Sequence, residues 1–173
     1  MKTLWAPWRL SYVENPDSRK NCLFCENATL EGRDERRGAL VLRVTENAVV
    51  IMNLFPYASG NLMVAPRDHT ADLGGMAESA AAALMGELQL AVRVLERAYS
   101  PHGMNIGVNL GRSAGAGVAD HLHWHLVPRW QGDTNFMPLI AETRVISQHL
   151  EEAYDRLLPL FEEMGARRGE VSA

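Results

Sequence analysis

The stretch His121-Leu122-His123-Trp124-His125-Leu126-Val127-Pro128-Arg129-Trp130 decides how the rest of the chain is interpreted. Its histidines stand at every second position with large apolar residues between them, and a period of two is typical of a strand with one buried face. We expect Leu122, Trp124 and Leu126 to point into a core while the histidines line the opposite face. Pro128 has no N–H donor, so the strand is expected to end or to become an edge there.

The spacing of these histidines limits what they can do together. A strand rises about 3.3 Å per residue, so His121 and His125 lie roughly 13 Å apart along a straight strand. One zinc ion needs its imidazole nitrogens at roughly 2.1 Å, so a straight strand can present two neighbouring histidines to an ion but not all three. The favoured interpretation is that the three histidines have different roles along the strand. The alternative is a surface strand on which the histidines are ordinary polar residues.

Length and composition indicate a single soluble globular domain. The chain has 173 residues, enough to bury a sizeable core. Its net charge of -4 argues against a nucleic-acid backbone as the main partner. It contains no apolar run of 18 residues, and Arg9 and Glu14 interrupt any leader-like segment, so we expect a cytoplasmic protein that does not bind membranes.

The pair of cysteines in Cys22-Leu23-Phe24-Cys25 is too sparse for a disulfide framework. A C-x-x-C pair is typical of a zinc half-site or of a redox pair, and two plain core thiols are a further alternative. A zinc site needs two more ligands, for which His69 and one histidine of the central strand are candidates. We favour zinc.

Hydrophobic patterning predicts several strands and two helices. Strands at residues 40–44 and 48–53 form a hairpin, and further strands are predicted at residues 61–65 and 105–110. Asp72 opens the longest helical pattern, which reaches about Tyr99, with Asp72 or Thr70 as the N-cap. Its apolar stripe consists of Leu84, Leu88, Ala91, Val92, Leu95 and Tyr99.

The two ends of the chain carry weaker patterns. Leu4–Arg9 is rich in aromatic residues and is expected to dock on the domain or on a second subunit, with a partly ordered arm as the alternative. Ser147 is the expected cap of a helix over residues 148–158, which Pro159 kinks or ends. Residues 165–173 are expected to fray.

The segment from Gly111 to Asp120 is rich in glycine and alanine and directly precedes the histidines. Small residues let backbone N–H groups approach an anion, and such nests bind phosphate; a plain flexible connection is the alternative. A neutral histidine can attack phosphorus and form a phosphoramidate. His123, flanked on its own face by His121 and His125, is best placed to be that nucleophile, and His125 to donate to a phosphate oxygen or to the leaving group.

The stretch from His121 to Val127 resembles the H-φ-H-φ-H-φ-φ signature of the histidine triad (HIT) family. The resemblance extends to Cys22–Cys25, to Ile51–Pro56 and to Leu62–His69, and it covers roughly residues 20–130 in order. It implies an α+β fold with a five-stranded antiparallel sheet, one long helix and a C-terminal helix, in a single domain over residues 1–173 that forms a homodimer. Within the family, Leu4–Arg9, Trp130 and Gly132–Phe136 resemble the corresponding segments of the bacterial diadenosine tetraphosphate phosphorylase branch.

The resemblance also implies residue roles. His123 would attack the α-phosphate, His125 would contact phosphate or the leaving group, and Asn109 would hydrogen-bond near the phosphates. The implied base pocket is lined by Phe24, Ile51, Met52 and Leu54. Asn53 would face the ribose. The implied zinc ligands are Cys22, Cys25, His69 and His121. The other expected substrate contacts are Ser113, Gly115, Gly117 and Trp130.

The chain departs from the family pattern at two places. Gly117, Val118 and Ala119 occupy a region where relatives often carry a polar Gln, Ser or Thr, which leaves open whether Ser113 steadies the leaving group. Asn61 stands where a histidine is common after the glycine. From the resemblance, the leading hypothesis is a phosphorylase. The alternatives are a HIT hydrolase, a nucleotide-binding protein without catalysis, or a catalytic zinc enzyme.

Overall fold

The computed structural model describes residues 21–133 and 149–170, with side chains up to residue 166. The arm at Leu4–Arg9 and the expected cap Ser147 lie outside the described residues. The strands are β1 (Val41–Val44), β2 (Ala48–Met52), β3 (Leu62–Pro66), β4 (Gly103–Val108) and β5 (Trp124–Arg129). The helices are α1 (Leu23–Ala28), α2 (Arg33–Gly38), α3 (Glu78–Tyr99) and α4 (Leu150–Glu170), with a 3-10 turn at Arg112–Ala114.

The five strands form one sheet in the order β1-β2-β3-β5-β4, and every neighbouring pair is antiparallel. Short connections join β1 to β2 and β2 to β3, whereas α3 lies in the chain between β3 and β4. The predicted α+β fold, with its five-stranded antiparallel sheet, its long helix and its C-terminal helix, is confirmed.

Apolar residues of the inner strands alternate between the two faces of this sheet. In β2, Val50 and Met52 point to the face that α3 and α4 cover, while Val49 and Ile51 point to the face where α1 lies. We call these the helix face (Ala48, Val50, Met52, Leu62, Val64, Leu126) and the histidine face (Val41, Val49, Ile51, Met63, Ala65). His125 pairs with Met63 and precedes Leu126, so it points to the histidine face.

The histidine motif is a strand only in its second half. β5 begins at Trp124, so the prediction of a regular strand from His121 is wrong. The N–H of Leu122 donates to the carbonyl of Thr70 at 2.7 Å, which holds the preceding segment away from the sheet ladder. As a result His121 and His123 are buried, at 1% and 4% exposure, instead of lining an open face.

The apolar positions of the motif and its proline behave largely as predicted. Leu122 and Leu126 are buried, and Trp124 is half-buried against the helix-face core. β5 continues through Pro128, which pairs with β4 but lies beyond Leu126, the last residue paired with β3. Pro128 therefore has a neighbouring strand on one side only, as expected of an edge position.

The long helix begins later than predicted. α3 starts at Glu78, so the predicted start at Asp72 and both predicted caps are wrong. Asp72 Oδ1 accepts the N–H of Gly75, and Thr70 Oγ1 accepts the N–H of Asp72, so both side chains close local turns before the helix. The predicted end at Tyr99 is confirmed. The buried members of the predicted stripe are Leu84, Leu88, Ala91 and Leu95.

The C-terminal helix is longer than predicted. α4 runs from Leu150 to Glu170 with Pro159 inside it, so the helix does not end there and residues 165–170 are helical, not frayed. A proline removes one backbone hydrogen bond, which a helix packed along its length tolerates. That packing includes Tyr154, whose hydroxyl donates to the carbonyl of Val41 at 3.1 Å. In the two described ranges, no helix has the length and apolarity that crossing a membrane requires.

Candidate active site

One ring nitrogen of His123 is fixed by the backbone. Its Nδ1 lies 2.9 Å from the carbonyl oxygen of His121. A carbonyl oxygen can only accept a hydrogen bond, so Nδ1 carries the proton and the lone pair of the neutral ring is on Nε2. An imidazole held in this tautomer can attack phosphorus through Nε2.

Burial keeps the same ring neutral. The Phe24 ring lies 5.0 Å from that of His123 and 5.1 Å from that of His121, between centroids. Burial lowers the pKa of His123 below its ordinary value because the charged form loses hydration. The ring is therefore neutral at pH 7, which a nucleophile requires.

His125 and Tyr57 continue a row of rings away from His123. The His125 ring meets that of His123 at 5.1 Å and 72°, edge to face. The Tyr57 ring meets His125 in the same manner at 6.0 Å and 69°. Burial falls along this row, from His123 through half-buried His125 to Tyr57, which is 39% exposed. A substrate reaching His123 along the row would pass both of the other rings.

A second cluster lies at the N-terminal end of the histidine motif. Cys22, Cys25, His69 and His121 each contribute one ligand atom, and these four atoms lie within 4.8 Å of one another. His121 Nδ1 is 3.1 Å from Cys22 Sγ and 3.6 Å from Cys25 Sγ. His69 Nδ1 is 3.3 Å from Cys25 Sγ. The four predicted zinc ligands are thus brought together from three separate segments, which are the start of α1, the loop after β3 and the start of the histidine motif.

The distances fit a tetrahedral cation. Metal–sulfur bonds of about 2.3 Å and metal–nitrogen bonds of about 2.1 Å separate ligand atoms by roughly 3.5 Å. His121 Nε2 donates to the carbonyl of Pro66 at 2.9 Å, which leaves the Nδ1 lone pair facing the sulfurs. His69 Nε2 lies 3.7 Å from Asp120 Oδ2, and such outer partners orient metal-binding imidazoles.

The charge balance of the two thiols also favours a cation. Burial, and next the neighbouring sulfur of Cys22, raise the pKa of the Cys25 thiol to about 11. At neutral pH a positive ion beside Cys25 would compensate the charge of its thiolate and so favour that form. Burial lowers the pKa of His121, which keeps its imidazole neutral and able to ligate.

The structure brings only part of the predicted base pocket together. Phe24 and Ile51 share one buried cluster on the histidine face. Met52 points to the helix face because side chains alternate along β2, so the expectation that it lines the same pocket is wrong. Asn53 is half-buried at the end of β2, and Leu54 beyond it is 54% exposed.

The predicted anion nest is partly used by its own backbone. The N–H groups of Ala114, Gly115 and Ala116 donate to carbonyls of Gly111 and Arg112. These three N–H groups are therefore not available to an anion. Nearby side chains include that of Asn109, whose Nδ2 would lie 3.8 Å from a Cβ at Gly115.

Ser113 and Gly117 of the predicted site are exposed, whereas Trp130 packs against another ring. Ser113 lies exposed in the 3-10 turn, and Gly117 is exposed next to Val118, which packs against the histidine-face core. The Trp130 ring meets Tyr99, at the end of α3, edge to face at 6.4 Å.

Residue-by-residue inspection of the sequence missed two side chains near these clusters. Tyr57 lies in what reads as a plain connecting loop, and only the packing of that loop brings its ring to His125. Asp120 reads as the end of a flexible loop, yet it lies beside His69. No periodicity marks either residue, because both are in irregular segments.

Comparison with known proteins supplies an independent line of evidence. A family model described as HIT domain matches residues 36–132. AP-4-A phosphorylase of Mycobacterium tuberculosis (strain ATCC 25618 / H37Rv) is 39% identical over 163 residues, covering 88% of this chain and 80% of the relative. Bis(5'-nucleosyl)-tetraphosphatase (asymmetrical) of Schizosaccharomyces pombe is 27% identical over 124 residues, covering 72% of this chain and 64% of the relative.

Solved structures share the fold. A Zn-bound histidine triad family protein from Mycobacterium smegmatis superposes with a TM-score of 0.64 at 23% identity, covering 85% of this chain and 97% of that protein. A hypothetical histidine triad nucleotide-binding protein from Sulfolobus tokodaii superposes with a TM-score of 0.60 at 28% identity, covering 83% and 91%.

Proposed function

This chain belongs to the HIT domain family, and from that premise we propose that it is a nucleotidyltransferase that cleaves dinucleoside polyphosphates through a nucleotidyl-histidine. With diadenosine tetraphosphate and inorganic phosphate as substrates, the products are ADP and ATP. The observation that carries the proposal is the neutral, buried ring of His123, whose Nδ1 is tied to the His121 carbonyl and whose Nε2 keeps its lone pair. The identity to AP-4-A phosphorylase supports the substrate class.

The proposed reaction consists of two displacements at one phosphorus. Nε2 of His123 attacks the α-phosphorus, a P–N bond forms, and the bond to the bridging oxygen breaks, so that ATP leaves. An oxygen of inorganic phosphate then attacks the same phosphorus, the P–N bond breaks, and ADP leaves with Nε2 restored. Splitting one difficult displacement into two easier ones is the advantage of covalent catalysis. His125 contacts phosphate or the leaving group, and Asn109 hydrogen-bonds near the phosphates.

The nucleoside is proposed to lie on the histidine face. Phe24, Ile51 and Leu54 contact the base, and Asn53 faces the ribose. The remaining proposed substrate contacts are Ser113, Gly115, Gly117 and Trp130. The physiological partners are an adenine nucleotide and phosphate, with a homodimer as the assembly and the cytoplasm as the location.

The cysteine-histidine cluster is proposed to hold a structural zinc ion. Cys22, Cys25, His69 and His121 supply four protein ligands, which leaves no position open for water or substrate. Zinc would supply a rigid link between α1 and the histidine motif. Since the carbonyl of His121 also accepts the hydrogen bond from His123, holding His121 helps to keep the nucleophile in its tautomer.

A HIT hydrolase that transfers the nucleotidyl group to water is the second candidate. The relative from Schizosaccharomyces pombe, named as a tetraphosphatase, favours this alternative. The two functions differ only in the acceptor, so the geometry of His123 serves both.

Product identification separates these functions. Purified protein is incubated with diadenosine tetraphosphate labelled in one α-phosphate, with and without inorganic phosphate, and nucleotides are separated by chromatography. ADP that appears only with phosphate supports the phosphorylase, whereas AMP formed regardless of phosphate supports the hydrolase. AMP binding without turnover would contradict both and leave a binding protein. A labelled adenylyl-protein that persists in His123→Ala would refute His123 as the nucleophile, with His149→Ala, an exposed histidine outside the site, as the control.

A further inference from the structure

Asn61 is a buried polar residue at the junction of β2, β3 and β5. Asn61 is only 1% exposed to solvent. Nδ2 donates to the carbonyls of Leu62 and Leu126, each at 3.1 Å. Oδ1 accepts the N–H of Tyr57 at 3.2 Å and one N–H of the Asn53 amide at 3.1 Å. One side chain therefore ties the loop between β2 and β3 to the strand that carries His125.

These four contacts use the whole hydrogen-bonding capacity of an amide, which has two donor hydrogens and two acceptor lone pairs. The backbone of Asn61 adds two bonds, since its N–H donates to Ala58 at 3.2 Å and its carbonyl accepts the N–H of Asn53 at 3.0 Å. A neutral histidine, the residue common here in the family that the chain resembles, offers only one ring donor and one ring acceptor. A histidine at this position could therefore not make all four side-chain contacts.

Asn61 determines which way the Asn53 amide faces. The Oδ1 of Asn53 accepts the N–H of Phe55 at 2.9 Å, and its Nδ2 must face the acceptor Oδ1 of Asn61. One N–H and one lone pair of Asn53 are left for a ligand. Two neighbouring ribose hydroxyls can use one donor and one acceptor in this way.

The Asn61 side chain also links the loop between β2 and β3 to β5, the strand that carries His125. Leu126 directly follows His125 and is the last residue of β5 that pairs with β3. By donating to its carbonyl, Asn61 extends the cross-strand connection past the end of the ladder. Because Oδ1 also holds the N–H of Tyr57, the ring of Tyr57 is kept beside His125, at 6.0 Å.

We propose that Asn61 is a positioning residue that makes the site selective for a ribonucleotide, through its amide contacts to Asn53 and Tyr57. This inference rests on the proposed function, because Asn53 and Tyr57 act on a ligand only if a nucleotide binds beside His123.

Equilibrium binding tests the selectivity. Affinities for AMP and for 2',3'-dideoxy-AMP are measured by calorimetry in the wild type, in Asn61→Ala, in Asn53→Ala and in the double variant. We expect wild type to prefer AMP by about tenfold, as one or two neutral hydrogen bonds allow. Both single variants lose that preference, and the double variant loses no more, because the two residues act as one unit. A folded Asn61→Ala protein that kept the full preference would overturn the proposal.

A conservative variant guards against simple misfolding. Asn61→Asp keeps the acceptors for Asn53 and Tyr57 and removes the donors to Leu62 and Leu126. It is expected to be less stable but to retain the preference for AMP. An equal loss of preference in Asn61→Asp and Asn61→Ala would indicate general distortion and contradict the inference.

A matched control removes a turn-closing side chain elsewhere. Thr45 Oγ1 accepts the N–H groups of Asn47 and Ala48 between β1 and β2. Thr45→Val should lower stability and leave the preference for AMP unchanged. A loss of preference in Thr45→Val as large as that in Asn61→Ala would also count against the proposal.

Hydrogen exchange distinguishes failure of this inference from failure of the proposed function. A wild-type protein that bound neither nucleotide would contradict the proposed function. In that event, hydrogen exchange in the ligand-free protein still tests whether Asn61 positions Tyr57. Asn61→Ala should raise the exchange rate of the Tyr57 N–H at least about tenfold. Exchange at Tyr57 that matched wild type and Thr45→Val would overturn it.

Discussion

Phe24 and Phe161 are equally buried, each 1% exposed, but they lie on opposite faces of the sheet and have different neighbours. Phe161 of α4 packs among aliphatic and aromatic residues of the helix face. Phe24 of α1 contacts the rings of His121 and His123 at about 5 Å. The same residue type therefore packs in an apolar core on one face and against the candidate active site on the other.

The difference shows how the molecule divides its tasks. Many apolar residues fill the helix face, where shape and volume decide stability. The histidine face contains buried polar groups with specific partners, such as His121 with Pro66 and His123 with the His121 carbonyl. A buried polar group without its partner is costly, so this face tolerates fewer alternatives.

The largest expected effect lies on the histidine face and concerns catalysis. His123→Ala should lower kcat by about 10⁴-fold or more, since removing a covalent nucleophile removes the reaction path. Binding of AMP and cooperative unfolding should persist, because the contacts to the nucleoside and the helix-face core remain. Turnover of diadenosine tetraphosphate by chromatography measures the effect, and activity within about tenfold of wild type would contradict the assignment.

A pair of matched substitutions compares the two faces directly. Phe24→Ala and Phe161→Ala should each cost about 3–5 kcal/mol of unfolding free energy, the usual range for a buried phenylalanine. Only Phe24→Ala should also weaken AMP binding per folded molecule, because its ring packs against the histidines. Denaturant unfolding and calorimetry give the two quantities. Equal AMP affinity in Phe24→Ala and Phe161→Ala would contradict the assignment of nucleotide binding to the histidine face.

Metal removal should have a smaller effect on stability. With free zinc about 100-fold above its Kd, binding to the Cys22, Cys25, His69 and His121 cluster should stabilise the native state by about 2.7 kcal/mol. A chelator should therefore lower the Tm of wild type but not that of Cys22→Ser, which lacks one ligand. Zinc content by elemental analysis accompanies the measurement. A Tm of wild type that did not respond to chelation would contradict the proposed site.

The smallest expected effect concerns an ion pair on the protein surface. Arg37 bonds Asp155 and lowers the pKa of that carboxyl below its ordinary value of 3.8. A depressed carboxyl pKa contributes stability above the unfolded value, and this contribution is lost as the pH falls through the folded value. Asp155→Asn should thus lower the Tm slightly at neutral pH and not at strongly acid pH, with the difference shrinking in high salt. A Tm difference that grew on acidification would contradict this sign.

Regular elements of the fold were predictable from the sequence because their patterns are local. Runs rich in β-branched and other apolar residues indicated the strands, and the stripe from Leu84 to Leu95 indicated the long helix that ends at Tyr99. Its start was not predictable, since Asp72 and Thr70 are good caps for a helix and equally good residues for a turn.

The candidate site was predictable in its residue types and less so in its arrangement. The C-x-x-C pair and His69 were identified as ligand candidates, and the resemblance added His121. The resemblance implied that Met52 lines the base pocket, whereas the alternation of side chains along β2 turns it to the helix face. Tyr57 was missed because only the loop geometry brings it to His125.

By itself, the sequence determined which residues alternate, which histidines stand close together, and the family to which those motifs belong. The tertiary structure alone decided that the histidine motif is not strand throughout, that His121 turns to the cysteines, and that Nδ1 of His123 is the protonated nitrogen. The physical reason is that a periodic pattern reports only local backbone geometry. The tautomer and the ligand set depend on hydrogen bonds and contacts between residues that are distant in the chain, such as Leu122 with Thr70 and His121 with Cys22.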